Sequence, residues 1–348
     1  MFRIVAGMVA QMSEVGVLVV GAGFIADSHI RALTAQPCAT LAGVVDVDPT
    51  RAAAFGYAHG NARHGTDLAE ALTWPDVDAV IVCTPNDTHV AIALDVAAAG
   101  KHLLSEKPLA TSVAGARQVV DAFAAAGRVV AAAHTHRRYD YGIAVRSVIE
   151  SGAIGTPVAA RLSILGGWIW PDWRAWVLDP ERSGGHSLHN GVHLLDLVTW
   201  WLGDEPRRVY ARGRRQTAGE LRIYDYLEMT VEYARGGTAV CEMSRAHRPG
   251  SFGYRDLLVA GTDGLIEQGW DAESSLLFTE GGLAQVPASG GDAFARQLAA
   301  WLDSFDGGDP VMSPDDAVLA VALGVASELS IERGEPVELA ETFEAVRA

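Results

Sequence analysis

The sequence predicts an α/β chain in two parts, a doubly wound parallel sheet followed by an α+β region built on an antiparallel sheet. Three observations carry this expectation. The first third alternates uninterrupted apolar runs with helical stretches joined by short links, as parallel strands buried on both faces require. A glycine turn, Gly21-Ala22-Gly23, separates the first of those runs from the first helix. Further on the period changes: Leu227, Met229, Val231 and Tyr233 face one way, and Glu228, Thr230 and Glu232 the other. That is the alternation of a sheet buried on one face only.

Taken in order, Val15 to Val20 reads as a buried strand and Ile25 to Ala35 as a helix. Leu41 to Val45 is a second strand, running into Asp46, and Asp78 to Cys83 a third, followed by a helix over Ala91 to Ala99. Leu103-Leu104 and Val129 to Ala132 read as later strands, with an alanine-rich helix, Val113 to Ala126, between them. After about residue 136 the pattern shifts to a helix over Tyr141 to Ser151, closed by Gly152. Strands are then expected at Pro157 to Leu165, Arg207 to Arg212, Thr238 to Ser244, Asp256 to Ala260 and Ser274 to Phe278. Helices follow near Ala293 to Phe305 and Pro314 to Arg333. With no internal repeat or low-complexity linker, the boundary falls where the architecture changes, giving expected parts 1–135 and 136–348.

Composition excludes several function classes. Of 348 residues, 49% are hydrophobic and 20% charged, the balance of a core-forming globular chain. A net charge of −16 argues against a nucleic-acid surface, which needs a basic stripe. Cys38, Cys83 and Cys241 are far apart and form no CxxC pair, so neither a disulfide framework nor a thiolate zinc site is expected, and a reducing cytoplasm fits. No apolar run reaches the roughly 18 residues of a membrane span. The leader has too weak an apolar core for a secretory signal, and Met12 is a candidate start, with residues 1–11 an extension.

Gly21-Ala22-Gly23-Phe24-Ile25-Ala26 follows a strand and opens a helix, the context a pyrophosphate site requires. Gly21 permits the tight turn, Gly23 lets backbone approach the phosphates, and Ala26 lets helix and strand pack closely. Amides of the first helical turn, at Phe24 and Ile25, then face the anion. Asp46 ends the second strand 20 residues after Ala26, where a carboxylate meets the adenosine ribose hydroxyls. It would repel a 2′-phosphate, and the following Val47 offers no cation. NAD is therefore expected in preference to NADP.

Two further stretches are specific: Cys83-Thr84-Pro85-Asn86-Asp87-Thr88-His89, and Ala99-Gly100-Lys101-His102-Leu103-Leu104-Ser105-Glu106-Lys107-Pro108. With the glycine turn ahead of them, they resemble the Gfo/Idh/MocA (glucose–fructose oxidoreductase and inositol dehydrogenase) family. The resemblance runs on through Tyr141 to Gly155, residues 183–203 and the final long helix. It implies a Rossmann domain and a C-terminal α+β domain with a large open, mostly antiparallel sheet, the site lying between them. It also implies oxidation or reduction of one carbinol carbon of a sugar, inositol or related polyol. Assembly of a dimer or tetramer through the exposed sheet is a further implication. Lys107 would hold and polarise the reacting oxygen, Glu106 would orient Lys107 or touch the cofactor, and Thr84, Pro85 and Asn86 would line the nicotinamide ribose. His89 reads equally as a cofactor neighbour or as a residue at a helix start.

Three histidines fall within eight residues of Ser183-Gly184-Gly185-His186-Ser187-Leu188-His189-Asn190-Gly191-Val192-His193-Leu194-Leu195-Asp196. In the family this segment carries Asp-x-x-x-His. The histidine matches His193, the proton-transfer residue, whereas His189 stands at the aspartate position. A neutral imidazole can bind a hydroxyl but supplies no fixed charge, so His189 is expected to assist catalysis or bind substrate in a different way. On one regular helix His186, His189 and His193 would span an arc of roughly 60° at about 100° per residue, close enough to suggest zinc. Gly184-Gly185 and Asn190-Gly191 argue against a regular helix before Val192, and hydride transfer needs no metal, so none is expected. His186 is expected to face solvent or a neighbouring loop. Asp196 reads as structural or as orienting His193, and Trp200 and Trp201 as core.

Trp173 and Arg174, in a run with Trp168, Trp170 and Trp176, are candidate substrate contacts, with a packed loop or subunit contact as the alternative. His136 is another candidate, among His134, Arg137, Arg138 and Tyr139 at the end of the last parallel strand; the arginines read equally as ion pairs at the junction. Two rival functions remain open at this stage. One is an NAD-dependent glycosidase working by transient oxidation, which the family also contains. The other is a cofactor-sensing regulator without turnover, against which the presence of both Lys107 and His193 argues.

Overall fold

The computed structural model of the chain describes residues 14–167, 176–215, 217, 219, 221–269 and 273–344. The first sheet is parallel. It comprises β1 (Val15–Val20), β2 (Ala39–Val45), β3 (His64–Gly65), β4 (Ala79–Val82), β5 (His102–Glu106) and β6 (Val130–Ala133), in the spatial order β3-β2-β1-β4-β5-β6. Val17, Leu18 and Val19 have no exposed surface, as expected of a strand with a helical layer on each side. Those layers are α1 (Phe24–Thr34), α2 (Pro49–Ala58), α3 (Leu68–Ala71), α4 (His89–Ala98) and α5 (Val113–Ala126). The strand order reverses between β1 and β4, so the crevice beyond their C-terminal ends is the natural ligand position of such a sheet. Helix α2 is absent from the sequence reading. Its signal is local: Asp48 accepts hydrogen bonds from the amides of Thr50 and Arg51, and Pro49 occupies the first helical position.

A 3-10 turn at Thr135–Arg138 leads from β6 into α6 (Asp140–Glu150), where the architecture changes. The second sheet contains β7 (Pro157–Gly166), β8 (Pro206–Arg214), β9 (Tyr226–Tyr233), β10 (Thr238–Ser244), β11 (Gly253–Gly261), β12 (Gly264–Gln268), β13 (Ser275–Thr279), β14 (Gly282–Val286) and β15 (Val337–Glu338). Their order is β14-β13-β12-β11-β7-β10-β9-β8-β15, and among the described pairs only β7 and β10 run parallel. The remaining helices are α7 (Pro180–Ser183), α8 (Val192–Leu202), α9 (Ala293–Asp303), α10 (Pro314–Arg333) and α11 (Leu339–Glu344). One face of the sheet is buried under α8 and α10: Leu227, Met229 and Val231 pack in one core with Leu197, Trp201 and Val321. Tyr210, Val240 and Phe278 point outward from the other face and are exposed.

Helix α9 does not stay with the second sheet. Leu298, Trp301 and Leu302 join the core formed by Val17, Val19, Ile30 and Leu104, and Trp301 Nε1 donates to the Leu103 carbonyl at 3.1 Å. The sequence reading assigns all residues beyond 135 to one part because the strand pattern changes there. An amphipathic stripe does not reveal which sheet will cover it. Among the described residues no helix is long and apolar enough to cross a membrane.

Candidate active site

The turn after β1 is built for close backbone approach. Gly21 has φ +97°, and a Cβ there would lie 2.7 Å from the Cys83 carbonyl oxygen, so only glycine fits. Gly23 caps α1 in an extended conformation with no side-chain hydrogen bond, leaving the first amides of the helix for an anion. Phe24 is exposed in that first turn beside the partly buried Ile25, while Ala26 is fully buried against the sheet. Asp46 Oδ2 accepts from the Ala22 amide at 2.8 Å, which fixes the carboxylate beside the glycine turn. Val47 offers no cation to Asp46, but one comes from further along the chain. Helix α2 brings Arg51 back, and its guanidinium donates to Asp46 Oδ1 at 2.7 Å. Burial pushes the Asp46 carboxyl up, but Arg51 and the Asp48 and Ala22 amides more than offset this and hold it below the usual range. A glycine cradle, an uncapped helix start and a carboxylate at the second strand end fit the adenosine and pyrophosphate portions of NAD.

The chain after β4 forms the other side of the crevice. Thr84 Oγ1 accepts from Thr88 Oγ1 at 2.7 Å beyond Pro85. Asn86 is buried; its Nδ2 donates to the Ser183 carbonyl at 2.8 Å and faces His189 Nδ1 at 3.1 Å. His89 has no exposed surface, and its ring lies between the carbonyls of Pro108 (2.8 Å) and Thr84 (3.0 Å). The ring therefore braces the Thr84–Asn86 turn against the segment carrying Lys107. Glu106 Oε1 contacts His29 Nε2 at 2.9 Å, and Oε2 accepts from the Lys107 amide at 3.2 Å. Burial raises the Glu106 carboxyl, but the His29 contact together with Lys107 and His89 brings it below its ordinary value.

Lys107 and the histidine segment meet directly. The ammonium donates to the His189 carbonyl at 2.7 Å. Burial lowers the Lys107 pKa to about 8, opposed by Glu106 and assisted by Arg245. The accepting carbonyl lies in a π-helical turn, Ser187–Gly191, that runs into α8. Such a turn loosens the α-helical ladder and is common at functional sites. Gly184 and Gly185 precede it at φ +80° and +91°. Glu328 of α10 caps it, Oε1 accepting from the Ser187 amide at 2.7 Å.

His193, in the first turn of α8, is partly exposed and stacks on His136 with ring centroids 4.2 Å apart and 28° between planes. Tyr141 Oη lies 2.5 Å from His136 Nδ1 and fixes that second ring. Burial keeps both imidazoles neutral. It brings His136 to about 3 and His193 well below its ordinary range, with nearby Lys107 and the other histidines adding to the effect. His186 is buried, not solvent-facing; its Nδ1 faces the Tyr224 carbonyl of a neighbouring loop, and burial lowers it to about 4. Among the described residues no group of three or more His, Cys, Asp or Glu side chains is arranged to share a metal ion. Asp196 is committed elsewhere than His193: it accepts from Arg137 at 2.6 and 2.9 Å and approaches His134 Nδ1 at 3.3 Å. Trp201 is fully buried, whereas Trp200 is half-buried beneath the guanidinium groups of Arg137 and Arg146. Trp173 and Arg174 lie outside the described residues, while Trp176 meets the His189 ring edge-on at 5.2 Å.

Residues 15–134 match the oxidoreductase family with the NAD-binding Rossmann fold, and residues 143–267 match the GFO/IDH/MocA C-terminal domain. The chain belongs to the Gfo/Idh/MocA oxidoreductase family. It is an NAD-binding oxidoreductase on that ground. It is 30% identical to inositol 2-dehydrogenase 2 of Paenarthrobacter aurescens strain TC1, over 84% of this chain and 87% of that one. It is 29% identical to the 1,5-anhydro-D-fructose reductase of Ensifer adhaerens, over 92% of this chain and 97% of the relative. The solved structure of GenD2 from gentamicin A biosynthesis, in complex with NAD, superposes with a TM-score of 0.83 at 30% identity, covering 94% of this chain and 97% of that chain.

Beside His193 this family member has a cleft of about 420 Å³ lined in part by His136, Tyr141, Arg245 and Arg255. The sequence reading missed both arginines. A signal was available in the strand period: Arg245 continues the phase of buried Cys241 and Met243, and Arg255 that of buried Leu257 and Val259. An arginine in the inward phase of a half-buried sheet needs an anionic or polar destination.

Proposed function

We propose that the chain transfers a hydride between NAD and one carbinol carbon of a sugar, inositol or related polyol, with Lys107 holding the reacting oxygen and His193 moving its proton. The observation that carries this reading is the Lys107–His189 hydrogen bond, which brings an ammonium from the first sheet against the segment bearing the imidazole of α8. After one bond to the His189 carbonyl, the ammonium has two donors left. Directed at a substrate hydroxyl, they stabilise the negative charge that grows on its oxygen as the proton leaves. His193, neutral through burial, accepts that proton in oxidation and returns it in reduction. The stacked His136 ring limits its rotation. NAD, when bound, accepts or returns the hydride. His189, its Nδ1 engaged by Asn86, offers a neutral ring to substrate. The similarity to an anhydrofructose reductase and an inositol dehydrogenase supports a polyol or sugar substrate.

The test is NADH formation by the purified chain with NAD+ and inositols, hexoses, pentoses and sugar acids, compared with Lys107→Ala and His193→Ala. Wild-type turnover in both variants would refute the assigned roles. Accumulating NADH distinguishes a dehydrogenase from a glycosidase that returns the hydride within each cycle. The outward row containing Tyr210, Val240 and Phe278 supports a homo-oligomer joined through the second sheet, tested by light scattering of Val240→Glu.

A further inference from the structure

We propose that the polyol taken by this site carries a carboxylate, and that Arg255 binds it. The inference rests on the hydride-transfer reading above and narrows its substrate class.

The argument begins with the charge of the cleft. Its described lining includes two arginines and no carboxylate. The acidic groups nearest the catalytic side chains are already engaged, Glu106 with His29 and Asp196 with Arg137. Lys107 adds a third cation, close enough to depress His136, His189 and His193. The resemblance implies a carboxylate at the position of His189, and this chain has a neutral ring there. A neutral polyol would leave the Arg255 guanidinium partly desolvated with no carboxylate among the described lining to offset it, whereas a carboxylate on the substrate supplies that charge.

Arg255 is the cation best prepared to receive it. Its guanidinium lies over the Tyr141 ring, Cζ 4.1 Å from the centroid. Its NH2 makes a long contact, 3.4 Å, with Gln268 Oε1, the guanidinium also interacts with the Tyr141 side chain, and its Nε is buried without a hydrogen-bond partner. Stacking on an aromatic face holds the planar group while leaving its in-plane N–H donors able to take a carboxylate in a forked pair. The support is shared with the proton path, because Tyr141 also fixes His136, on which His193 stacks. A carboxylate held on Arg255 therefore sets the position of the chain's hydroxyl-bearing carbons relative to His193.

The full chain saturated with NADH is titrated calorimetrically with matched pairs, D-gluconate against D-glucitol and D-glucuronate against D-glucose. The acids are expected to bind about tenfold or more tightly than their neutral partners, as a charge-assisted forked pair implies, and to weaken selectively as ionic strength rises. Arg255→Gln abolishes that preference and Arg255→Lys restores part of it, with NADH affinity serving as the folding control. Equal binding of acid and neutral partner, no binding of the acids, or an undiminished preference in Arg255→Gln overturns the proposal. Hydride transfer to NAD+ is followed separately with the same compounds. Turnover of neutral polyols without any preference for acids leaves the oxidoreductase reading standing and removes this one. Acid binding dependent on Arg255 without NADH formation from any compound does the reverse.

Discussion

The ammonium of Lys107 donates to the main-chain carbonyl of His189 across 2.7 Å, joining the segment after β5 to the π-turn before α8. The bond spans 82 residues of sequence and commits only backbone on the α8 side. The His189 ring remains with Asn86 and Trp176.

Activity should fall as pH rises through the Lys107 pKa of about 8, because only the ammonium donates to the substrate oxygen. His193, held neutral, should leave the profile flat at neutral pH. The expected kcat/KM profile is a plateau followed by an alkaline decline, absent in Lys107→Arg, which should be slower by about 100-fold. Stability should move the other way. The unfolded lysine keeps its proton up to its ordinary 10.5 and the folded one releases it near 8, so the unfolded state binds more protons in that window and stability rises with pH there. Urea denaturation at pH values below, within and above the window checks the sign.

His193→Asn should lower kcat by about 10²–10⁴-fold, the usual contribution of a positioned acid–base group, with NADH binding unchanged. His136→Ala removes the stacked ring and the partner of Tyr141 Oη but leaves the His193 imidazole, and should cost less. Rapid-mixing measurements of the first turnover separate both effects from product release.

His189→Asp should fold, because the Asn86 amide that now faces His189 Nδ1 can donate to a carboxylate. A negative charge near Lys107 favours the ammonium. The alkaline decline in kcat/KM should therefore shift to higher pH, and preference for carboxylated compounds should fall.

Gly21→Ala should destabilise the chain by about 1–3 kcal/mol, the cost of a strained backbone position, and abolish NADH binding. The added Cβ meets the Cys83 carbonyl on the floor of the crevice. Thermal melts and fluorescence titration report the two effects separately.

Arg137→Met should destabilise by about 3–5 kcal/mol, because it strands the buried Asp196 carboxylate. Burial raises the Asp196 carboxyl, but Arg137 and His134 outweigh it and hold the group far below its ordinary range. The stability it contributes is complete above the unfolded carboxyl value, about 3.9, and is lost as pH falls further. Asp196→Asn should flatten the acid limb of a stability–pH curve.

Most elements with local signals are legible, α2 excepted. Helix α10 runs over the residues read from sequence because Ser313 caps it, Pro314 begins it and Gly334 ends it with φ +72°. Strand β9 follows from its alternation, and the glycine turn with Asp46 from its spacing. Strands β12 and β14 went unread: they are short, and β14 is almost wholly exposed and lacks an apolar phase. The site was legible as a set of residues but not as contacts. The Asp48-Pro49 helix start that returns Arg51 to Asp46 is a local signal outside the sequence reading. By contrast, nothing near residue 29 predicts His29 against Glu106, a pairing 77 residues apart. Such contacts are decided by strand order, which local periodicity does not encode.

Helix α9 has a consequence for biosynthesis. Trp301 and Leu298 complete the core around Val17 and Ile30, so the nucleotide-binding half emerges from the ribosome with one apolar wall uncovered. It must wait in that state while some 160 further residues are made, between β6 and α9, long enough at ordinary translation rates for chaperones to engage it. A nascent chain stalled before residue 293 should therefore be protease-sensitive in its first sheet, although every strand of that sheet has already been synthesised.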